Sequence, residues 1–143
     1  MSYLTSVSTT NLLERNMGIS SKNFSSKELS CSHCGENKFD QKTLDALQDL
    51  REAIGKPLSL SSAYRCSVHN QNVSSSGPDG PHTTGQAVDI LCSGKTAHEV
   101  LSFAMIRSSI WKGIGVSQKG NHDSRFIHLD TIETDLRPWV WSY

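Results

Sequence analysis

Apolar residues repeat at helical spacing in the stretch from Asp40 to Ile54. Four of them, three or four positions apart, share one face and predict the buried side of a helix: Leu44, Leu47, Leu50 and Ile54. Asp40 is a suitable N-cap residue, and Gly55 and Pro57 are residues that end helices. We therefore predict a helix over residues 40–54 that packs on the core through its leucines.

Two further helices are predicted from shorter signals. Ser25 and Glu28 have the spacing of a capping box, which predicts a short helix there, and Phe24 is placed to pack against the end of it. A longer helix is predicted from residue 93 to about residue 108. Its inner side is expected to carry four apolar residues: Val100, Leu101, Ala104 and Met105.

Runs that are apolar, or that alternate between apolar and polar residues, predict the strands. They cover residues 58–65, 87–92, 113–117, 125–131 and 139–141. Gly113 and Gly115 within one run indicate that another backbone comes close there. Residues 70–81, rich in Asn, Ser, Gly and Pro, predict a loop. This order of elements predicts an α+β domain with a small antiparallel sheet and helices packed on one face.

Composition and charge narrow the function classes. The 143 residues carry a formal net charge of zero, so the electrostatic signature of a nucleic-acid or anionic-membrane partner is absent. We predict one domain over residues 23–143 behind an N-terminal arm of residues 1–22, in which residues 11–17 form a helical turn. The first residues resemble neither a signal peptide nor a membrane span. We expect a monomer that is made in the cytoplasm, does not insert into a membrane, and needs another route to any site outside.

Four cysteines occur in the chain, and two of them, Cys31 and Cys34, form a CxxC pair around His33. A structural zinc site usually needs four ligands, and neither a second CxxC nor an HxxxH completes one. Cys66 is the expected distant partner, through a disulfide or through a shared metal, and the alternative is free thiols in a reducing cytosol. Cys92 lies in an apolar strand and is expected to be a small buried side chain.

The candidate chemistry lies in two stretches that are far apart in the sequence. His82 and Asp89 come from the first, and His128 comes from the second. Catalytic zinc takes three protein ligands and keeps a fourth position open. Asp89 stands between Val88 and Ile90, where an unpaired carboxylate is costly to bury and a metal ion would compensate for it. The three residues predict a zinc site, and the alternative is that each is an ordinary buried or surface polar residue.

Three motifs carry a more specific signal: Ser-Ala-Tyr-Arg at residues 62–65, His-x-x-Gly-x-Ala-x-Asp at residues 82–89, and Phe-Ile-His-Leu-Asp at residues 126–130. In this order they resemble the zinc D-Ala-D-Ala carboxypeptidase family, which includes phage peptidoglycan endopeptidases and is related in fold to the hedgehog signalling domain. Arg-Cys-x-x-His-Asn at residues 65–70 resembles the branch of that family with short domains. The resemblance runs from about residue 23 to residue 143.

This resemblance implies one zinc ion on three ligands: His82, Asp89 and His128. It implies that Arg65 points into the cleft, where a guanidinium can bind a substrate carboxylate or polarise the scissile carbonyl. Tyr64 and Asn70 are expected beside it as further substrate contacts. The implied substrate is a peptide bond in the stem or cross-link of peptidoglycan, which contains D-residues.

The general base is where the sequence departs from the family. Many members carry an acid or a histidine a few residues before the last zinc ligand, and Arg125 stands there instead. The first replacement is Asp130, which shares a strand face with His128 and can either reach the catalytic water or orient the ligand. Asp123 comes next and His122 last, since both are otherwise solvated residues of a polar turn.

We therefore expect a zinc metallopeptidase of the D-Ala-D-Ala carboxypeptidase type, or of the L-Ala-D-Glu or D-Ala endopeptidase type. The expected context is a phage lysin released by a holin-type route or a virion-associated cell-wall hydrolase, and a bacterial cytoplasmic dipeptidase is less favoured. The alternative is a non-catalytic, zinc-stabilised binding module of the same fold, which the missing acid at Arg125 favours. A third hypothesis is a cytosolic protein that uses its CxxC pair for redox chemistry or structural zinc.

Overall fold

The structure, a computed structural model, describes residues 18–143 of the chain. The helical turn predicted over residues 11–17 and most of the predicted arm lie outside the described residues. The predicted α+β class is confirmed, because one mixed sheet packs against helices on one of its faces.

The described part of the chain forms four α-helices: α1 (Ser26–Leu29), α2 (Gln41–Ile54), α3 (Ser67–Val73) and α4 (Gly94–Ile106). α1 begins with the predicted capping box, in which the Ser25 hydroxyl accepts from the Glu28 N–H and the Glu28 carboxylate accepts from the Ser25 N–H. α2 begins at the predicted cap Asp40, and Gly55 ends it with a φ of 73°. Among these helices, none has the length and apolar character needed to cross a membrane.

Two helical predictions need correction. Residues 70–73 of the predicted loop are helical, because Cys66 caps α3 and the fully buried Asn70 anchors it without an apolar stripe. In α4, Val100 and Ala104 are buried as predicted, but Met105 is 60% exposed, because the stripe that faces the core ends at Ala104.

Five strands form one sheet: β1 (Ser59–Ser62), β2 (Ala87–Leu91), β3 (Gly113–Ser117), β4 (Phe126–Asp130) and β5 (Trp139–Ser142). Their order across the sheet is β1-β2-β4-β3-β5. Neighbouring strands run antiparallel, as predicted, except that β5 lies parallel to β3 at the edge. Residues 131–138 carry the chain from β4 past β3 to that edge.

Alternation along β2 and β4 gives the sheet two chemically different faces. The core beneath the helices holds four fully buried residues of these strands: Val88, Ile90, Ile127 and Leu129. The intervening residues point to the opposite face, where Asp89 lies directly across from His128. The candidate site is therefore built on the face opposite the core that α2 and α4 cover.

One row of residues crosses the sheet at the level of Asp89. The strand register pairs Asp89 with Ser62 and with His128, and the row continues through Gly115 to Trp141. Gly115 places no side chain between His128 and Trp141, whose ring centroids are 5.0 Å apart. A Cβ atom at Gly115 would lie 2.6 Å from the Trp141 Nε1 atom. Gly115 therefore makes room for a side chain, rather than for a backbone as predicted.

Candidate active site

Three polar side chains from separate elements converge on the open face of the sheet. Asp89 and His128 face each other on β2 and β4, and His82 lies in the 3-10 turn Pro81–Thr84 that precedes β2. The Asp89 Oδ1 atom lies 3.0 Å from Nδ1 of His128 and 3.2 Å from Nε2 of His82. All three side chains are buried, so the fold brings together the three predicted ligands.

The second ring nitrogen of each histidine is held by an acceptor, and this fixes which nitrogen carries the proton. Nδ1 of His82 lies 2.7 Å from the carbonyl oxygen of Ala63, which can only accept. Nε2 of His128 lies 2.8 Å from Oδ2 of Asp130, a carboxylate oxygen. Each histidine therefore turns its other nitrogen towards Asp89, an arrangement typical of metal-ligating imidazoles.

This set of donor atoms fits zinc. Two imidazoles and one carboxylate are ordinary zinc ligands, and three protein ligands leave a position for water or substrate, as in catalytic sites. Donors about 2.0 Å from a tetrahedral ion are about 3.3 Å apart. The observed separations of 3.0 and 3.2 Å are close to that value, and all three donor atoms lie within 4.8 Å of one another.

The electrostatics of this cluster keep Asp89 ionised. Burial alone raises the pKa of Asp89, but hydrogen bonds with His128 and His82 outweigh burial and hold that pKa well below its usual range. Burial lowers the pKa of His128, but its bonds to Asp130 and Asp89 outweigh burial and raise that pKa above its ordinary value. A divalent cation held by these three side chains would compete with a proton for the Nδ1 atom of His128.

Arg65 reaches the same centre from the segment that follows β1. Its Nη2 atom lies 3.3 Å from Oδ2 of Asp89, the carboxylate oxygen that the histidines do not contact. Its Nη1 atom donates to Oδ1 of Asn70 at 3.1 Å. The half-buried guanidinium lines the cavity above the three donors, in the cleft position that the family resemblance implies.

Tyr64 and Asn70, the other two predicted substrate contacts, are not among the residues that line this cavity. Asn70 is fully buried, and its amide nitrogen donates to the Ser76 hydroxyl at 3.0 Å and to the carbonyl oxygen of Gly77. Because Arg65 also donates to the side-chain oxygen of Asn70, both polar atoms of this side chain form hydrogen bonds within the protein. Tyr64 is buried and lines a second cavity on which Arg65 also borders. The structure thus places Asn70 beside Arg65, whose guanidinium donates to the Asn70 side-chain oxygen.

Asp130 holds the ring nitrogen of His128 that Asp89 does not contact. It is fully buried, and Arg137 donates to its Oδ1 from Nε at 3.0 Å and to its Oδ2 from Nη2 at 2.9 Å. The N–H of Ile132 also donates to Oδ1, at 3.3 Å. Burial raises the pKa of Asp130, but hydrogen bonds with His128 and Arg137 outweigh burial and keep that pKa below its ordinary value. Of the two predicted roles of Asp130, this placement favours orientation of the ligand.

Sequence reasoning missed two residues of the site, Arg137 and Trp141. Both line the cavity, and the Arg137 guanidinium carbon lies 5.2 Å from the centroid of the Trp141 ring. Phe126 and Tyr143 continue the aromatic wall, with ring centroids 5.0 Å apart. An available signal was the alternation of aromatic residues along β5, which puts Trp141 and Tyr143 on one side of the strand.

The cavity above the centre has a volume of about 1030 Å³. Its polar lining consists largely of serine residues: Ser61, Ser62, Ser74, Ser75, Ser76, Ser124 and Ser142. Arg65 and Arg137 supply positive charge, and Asp89 is the one carboxylate that the described chain contributes to the lining. Such a cavity suits an extended polar chain that carries carboxylates.

His122 and Asp123, the remaining candidates for the base, lie on an exposed turn at the cavity rim. They belong to the 3-10 turn His122–Ser124, from which Ser124 alone lines the cavity. Both side chains are exposed. The structure therefore brings neither of them to the three-ligand centre. Asp123 stands one residue, and His122 two residues, before Ser124 of the cavity wall.

Comparison with protein-family models identifies the family of this chain. The family model described as Peptidase M15 matches residues 22–130. No curated protein matches the chain. The matched span contains the three predicted metal ligands and Arg65 and ends at Asp130, whereas Arg137 and the aromatic wall of β5 lie beyond it.

Proposed function

Because the chain belongs to the peptidase M15 family of zinc metallopeptidases, we propose that it hydrolyses a peptide bond in the stem or cross-link peptides of bacterial peptidoglycan. The reaction would be of the D-Ala-D-Ala carboxypeptidase type or of the L-Ala-D-Glu or D-Ala endopeptidase type. We place it in a phage lysin or a virion-associated cell-wall hydrolase that acts as a monomer.

One observation supports a hydrolytic role above the others. Asp89, His82 and His128 aim three zinc-type donor atoms at one point within the wall of a cavity that also presents Arg65. Each buried imidazole has its second nitrogen bonded to a fixed acceptor, so the donor geometry exists before any ligand arrives. A preformed, three-ligand centre open to a large cavity is the arrangement of catalytic rather than structural zinc sites.

His82, Asp89 and His128 would hold the zinc ion, which when bound supplies Lewis-acid chemistry: it lowers the pKa of water to about 7 and polarises a carbonyl group. The chain's own residues keep these ligands in place. The carbonyl oxygen of Ala63 holds the Nδ1 proton of His82, and the Asp130 carboxylate holds the Nε2 proton of His128. Neither ring can then turn or change tautomer without breaking a buried hydrogen bond.

We assign substrate binding to Arg65. Its guanidinium is already positioned by Asn70 and Asp89, so binding a substrate costs less conformational entropy than ordering a free side chain. A guanidinium binds a carboxylate with two parallel hydrogen bonds, or stabilises the negative charge that develops on an attacked carbonyl oxygen. Stem peptides carry free carboxylates, and these match a serine-lined cavity in which Arg65 and Arg137 supply the charge.

Hydrolysis also needs a group that takes a proton from the attacking water and returns it to the leaving amine. Asp130 is engaged by His128 and Arg137, and we assign it to positioning. We assign the proton transfer to Asp123, whose exposed carboxylate is on the turn that contributes Ser124 to the cavity wall, and this role requires the turn to move towards the three-ligand centre when substrate binds.

Digestion of purified peptidoglycan tests the proposal. The zinc-loaded protein is expected to release new amino groups, and mass spectrometry of the fragments is expected to identify the bond. A chelator should abolish release, zinc should restore it, and His82→Ala should be inactive under all conditions. Failure to release amino groups from any cell-wall chemotype would remove the enzymatic proposal.

Two observations favour a second candidate, a zinc-stabilised module that binds peptidoglycan without cleaving it. Arg125 stands where many family members carry an acid or a histidine, and Asp89 is the one carboxylate lining the described cavity. A module of this kind would bind stem-peptide fragments in a zinc-dependent manner, as measured by calorimetry. Mass spectrometry would find the fragments unchanged after prolonged incubation with such a module, whereas an enzyme would cleave them.

A further inference from the structure

A second group of metal-binding side chains lies outside the cavity site. The Sγ atoms of Cys31, Cys34 and Cys66 lie within 4.8 Å of one another, and all three are free thiols. Sulfur donors about 2.3 Å from a tetrahedral zinc ion are about 3.8 Å apart. The three thiols are therefore gathered at a separation that one ion can span after small movements.

The backbone after α1 is shaped to present two of these thiols together. The N–H of Cys31 donates to the carbonyl oxygen of Glu36 at 2.8 Å, and the N–H of Gly35 donates back to the carbonyl oxygen of Cys31 at 2.8 Å. Gly35 has a φ of 78°, a conformation that favours glycine. The chain thus turns tightly over residues 31–36, and Cys31 and Cys34 lie on the same turn.

The third thiol comes from the start of α3, and backbone N–H groups point at two of the sulfur atoms. The N–H of Cys66 donates to Sγ of Cys31 at 3.3 Å, and the N–H of His69 donates to Sγ of Cys66 at 3.4 Å. Hydrogen bonds of this kind stabilise a thiolate, which is the form of cysteine that binds metals.

His69 is the candidate fourth ligand, and its side chain must turn towards the thiols to bind the ion, because its ring nitrogens lie outside the group of donor atoms that are within 4.8 Å of one another. It stands three residues after Cys66 on α3, and its Nε2 atom lies 3.4 Å from the hydroxyl of Ser32, which is between the two cysteines of the turn. The sequence therefore contains Cys-x-x-Cys at 31–34 and Cys-x-x-His at 66–69, spacings used by structural zinc sites with three cysteines and one histidine. The His33 ring stacks on His69 with a centroid separation of 5.7 Å.

We propose that Cys31, Cys34, Cys66 and His69 bind a second zinc ion with a structural role. This ion joins the turn after α1 to the first turn of α3. Cys66 directly follows Arg65, so the site also fixes the backbone that carries the proposed substrate-binding guanidinium. The inference does not rest on the peptidase function, because none of its ligands lines the three-ligand cavity.

Metal content separates the two sites. Protein purified under reducing conditions is expected to hold two zinc ions per chain, His82→Ala and Cys34→Ser one each, and the double variant none. Cys34 is exposed, so its substitution by serine leaves the core intact. A Cys34→Ser variant with the full metal content of the unmodified protein would overturn the proposal, as would a Cys31–Cys34 disulfide found by mass spectrometry in the reduced, purified protein.

Cobalt substitution identifies the ligand type at each site. Cobalt-loaded His82→Ala should show the intense thiolate-to-metal charge-transfer absorption of a cysteine site, and cobalt-loaded Cys34→Ser should lack most of it. The absence of that absorption in His82→Ala would contradict ligation by sulfur, whatever the activity of the protein.

His33 provides a matched control for the fourth ligand. His69→Gln is expected to weaken zinc binding at the cysteine site in competition with a chromophoric chelator, because it removes a ligand. His33→Gln should leave that affinity unchanged. Equal affinities in the two variants, or a loss confined to His33→Gln, would overturn the assignment of His69.

Discussion

Asp130 and Arg137 form a bidentate ion pair behind His128, with Nε 3.0 Å from Oδ1 and Nη2 2.9 Å from Oδ2. Asp130 is fully buried and the Arg137 side chain is only 12% exposed. The pair contacts the ring nitrogen of His128 that faces away from Asp89, so it can orient a metal ligand without touching the reacting atoms. A buried charge left without its partner is costly, which gives the pair a measurable effect.

Arg137→Ala is expected to lower zinc affinity at the three-ligand site by about 10- to 100-fold, because Asp130 then holds His128 less rigidly. Competition with a chromophoric chelator measures the change. Excess zinc should recover much of the lost metal content in Arg137→Ala but none in His128→Ala. Arg51→Ala, in the last turn of α2, is the matched control and should bind zinc normally. Normal zinc affinity in Arg137→Ala would mean that the pair does not position His128.

Asp123→Asn is expected to reduce kcat by about 10²- to 10⁴-fold while zinc content stays unchanged, because the variant loses the proposed proton acceptor but no ligand. His122→Gln, on the same exposed turn, is the control and should remain close to full activity. The measurement is amino-group release from peptidoglycan together with metal analysis. Full activity in Asp123→Asn, with loss of activity but not zinc in Asp130→Asn, would return the role to Asp130.

Gly113→Ala is expected to lower the free energy of unfolding by about 1–3 kcal/mol, because the added methyl group overpacks a filled interior. A Cβ atom at Gly113 would overlap the carboxylate of Asp130, which is fully buried and held by Arg137. Urea denaturation measures the change. Ser117→Ala, at the half-buried end of the same strand, should be nearly neutral. Equal stability of both variants would show that Asp130 has room to move.

Zinc binding should strengthen as pH rises, because zinc must displace the Nδ1 proton of His128. The pKa of His128 is raised in the metal-free fold by Asp130 and Asp89, against the effect of burial. The stability that this proton contributes is therefore present below the unfolded pKa of about 6.5 and is lost as pH rises through the folded pKa. In the Cys34→Ser variant, which removes a ligand of the proposed cysteine site, the gain in Tm on adding zinc should accordingly increase from about pH 6 to about pH 8. A gain that does not change with pH would indicate that His128 is unprotonated before zinc binds.

The sequence predicts the backbone of this protein better than the connections between its side chains. Periodicity and caps identified α2, and alternation identified each strand to within a few residues, because those signals are local. The sequence pattern did not predict helix α3, because the residues that hold this helix are a cysteine cap and the buried amide of Asn70 rather than a row of apolar side chains. A short polar helix that is held by the loop directly after it has no periodic apolar pattern to identify it.

The candidate site likewise contains residues that short sequence motifs predict and contacts that only the fold creates. His82, Asp89, His128 and Arg65 stand in motifs short enough to recognise, and the fold brings them together. The role of Asp130 depended on which side of the His128 ring its carboxylate would reach, and strand alternation gives only the face. Arg137 follows β4 by a loop, and its contact with Asp130 exists only because β5 returns parallel to β3. Local sequence does not encode that return.

Asp89 contacts both the proposed metal ligands and the proposed substrate-binding residue, since its Oδ1 atom faces the two histidines and its Oδ2 atom faces Arg65. One carboxylate therefore links two binding equilibria. A substrate that draws the guanidinium away from Oδ2 makes that oxygen more basic, and this alters how strongly the same group binds a cation. Reciprocity requires the cation to alter substrate affinity by the same factor. Loading with zinc and saturation with peptide should thus be measured as one linked system.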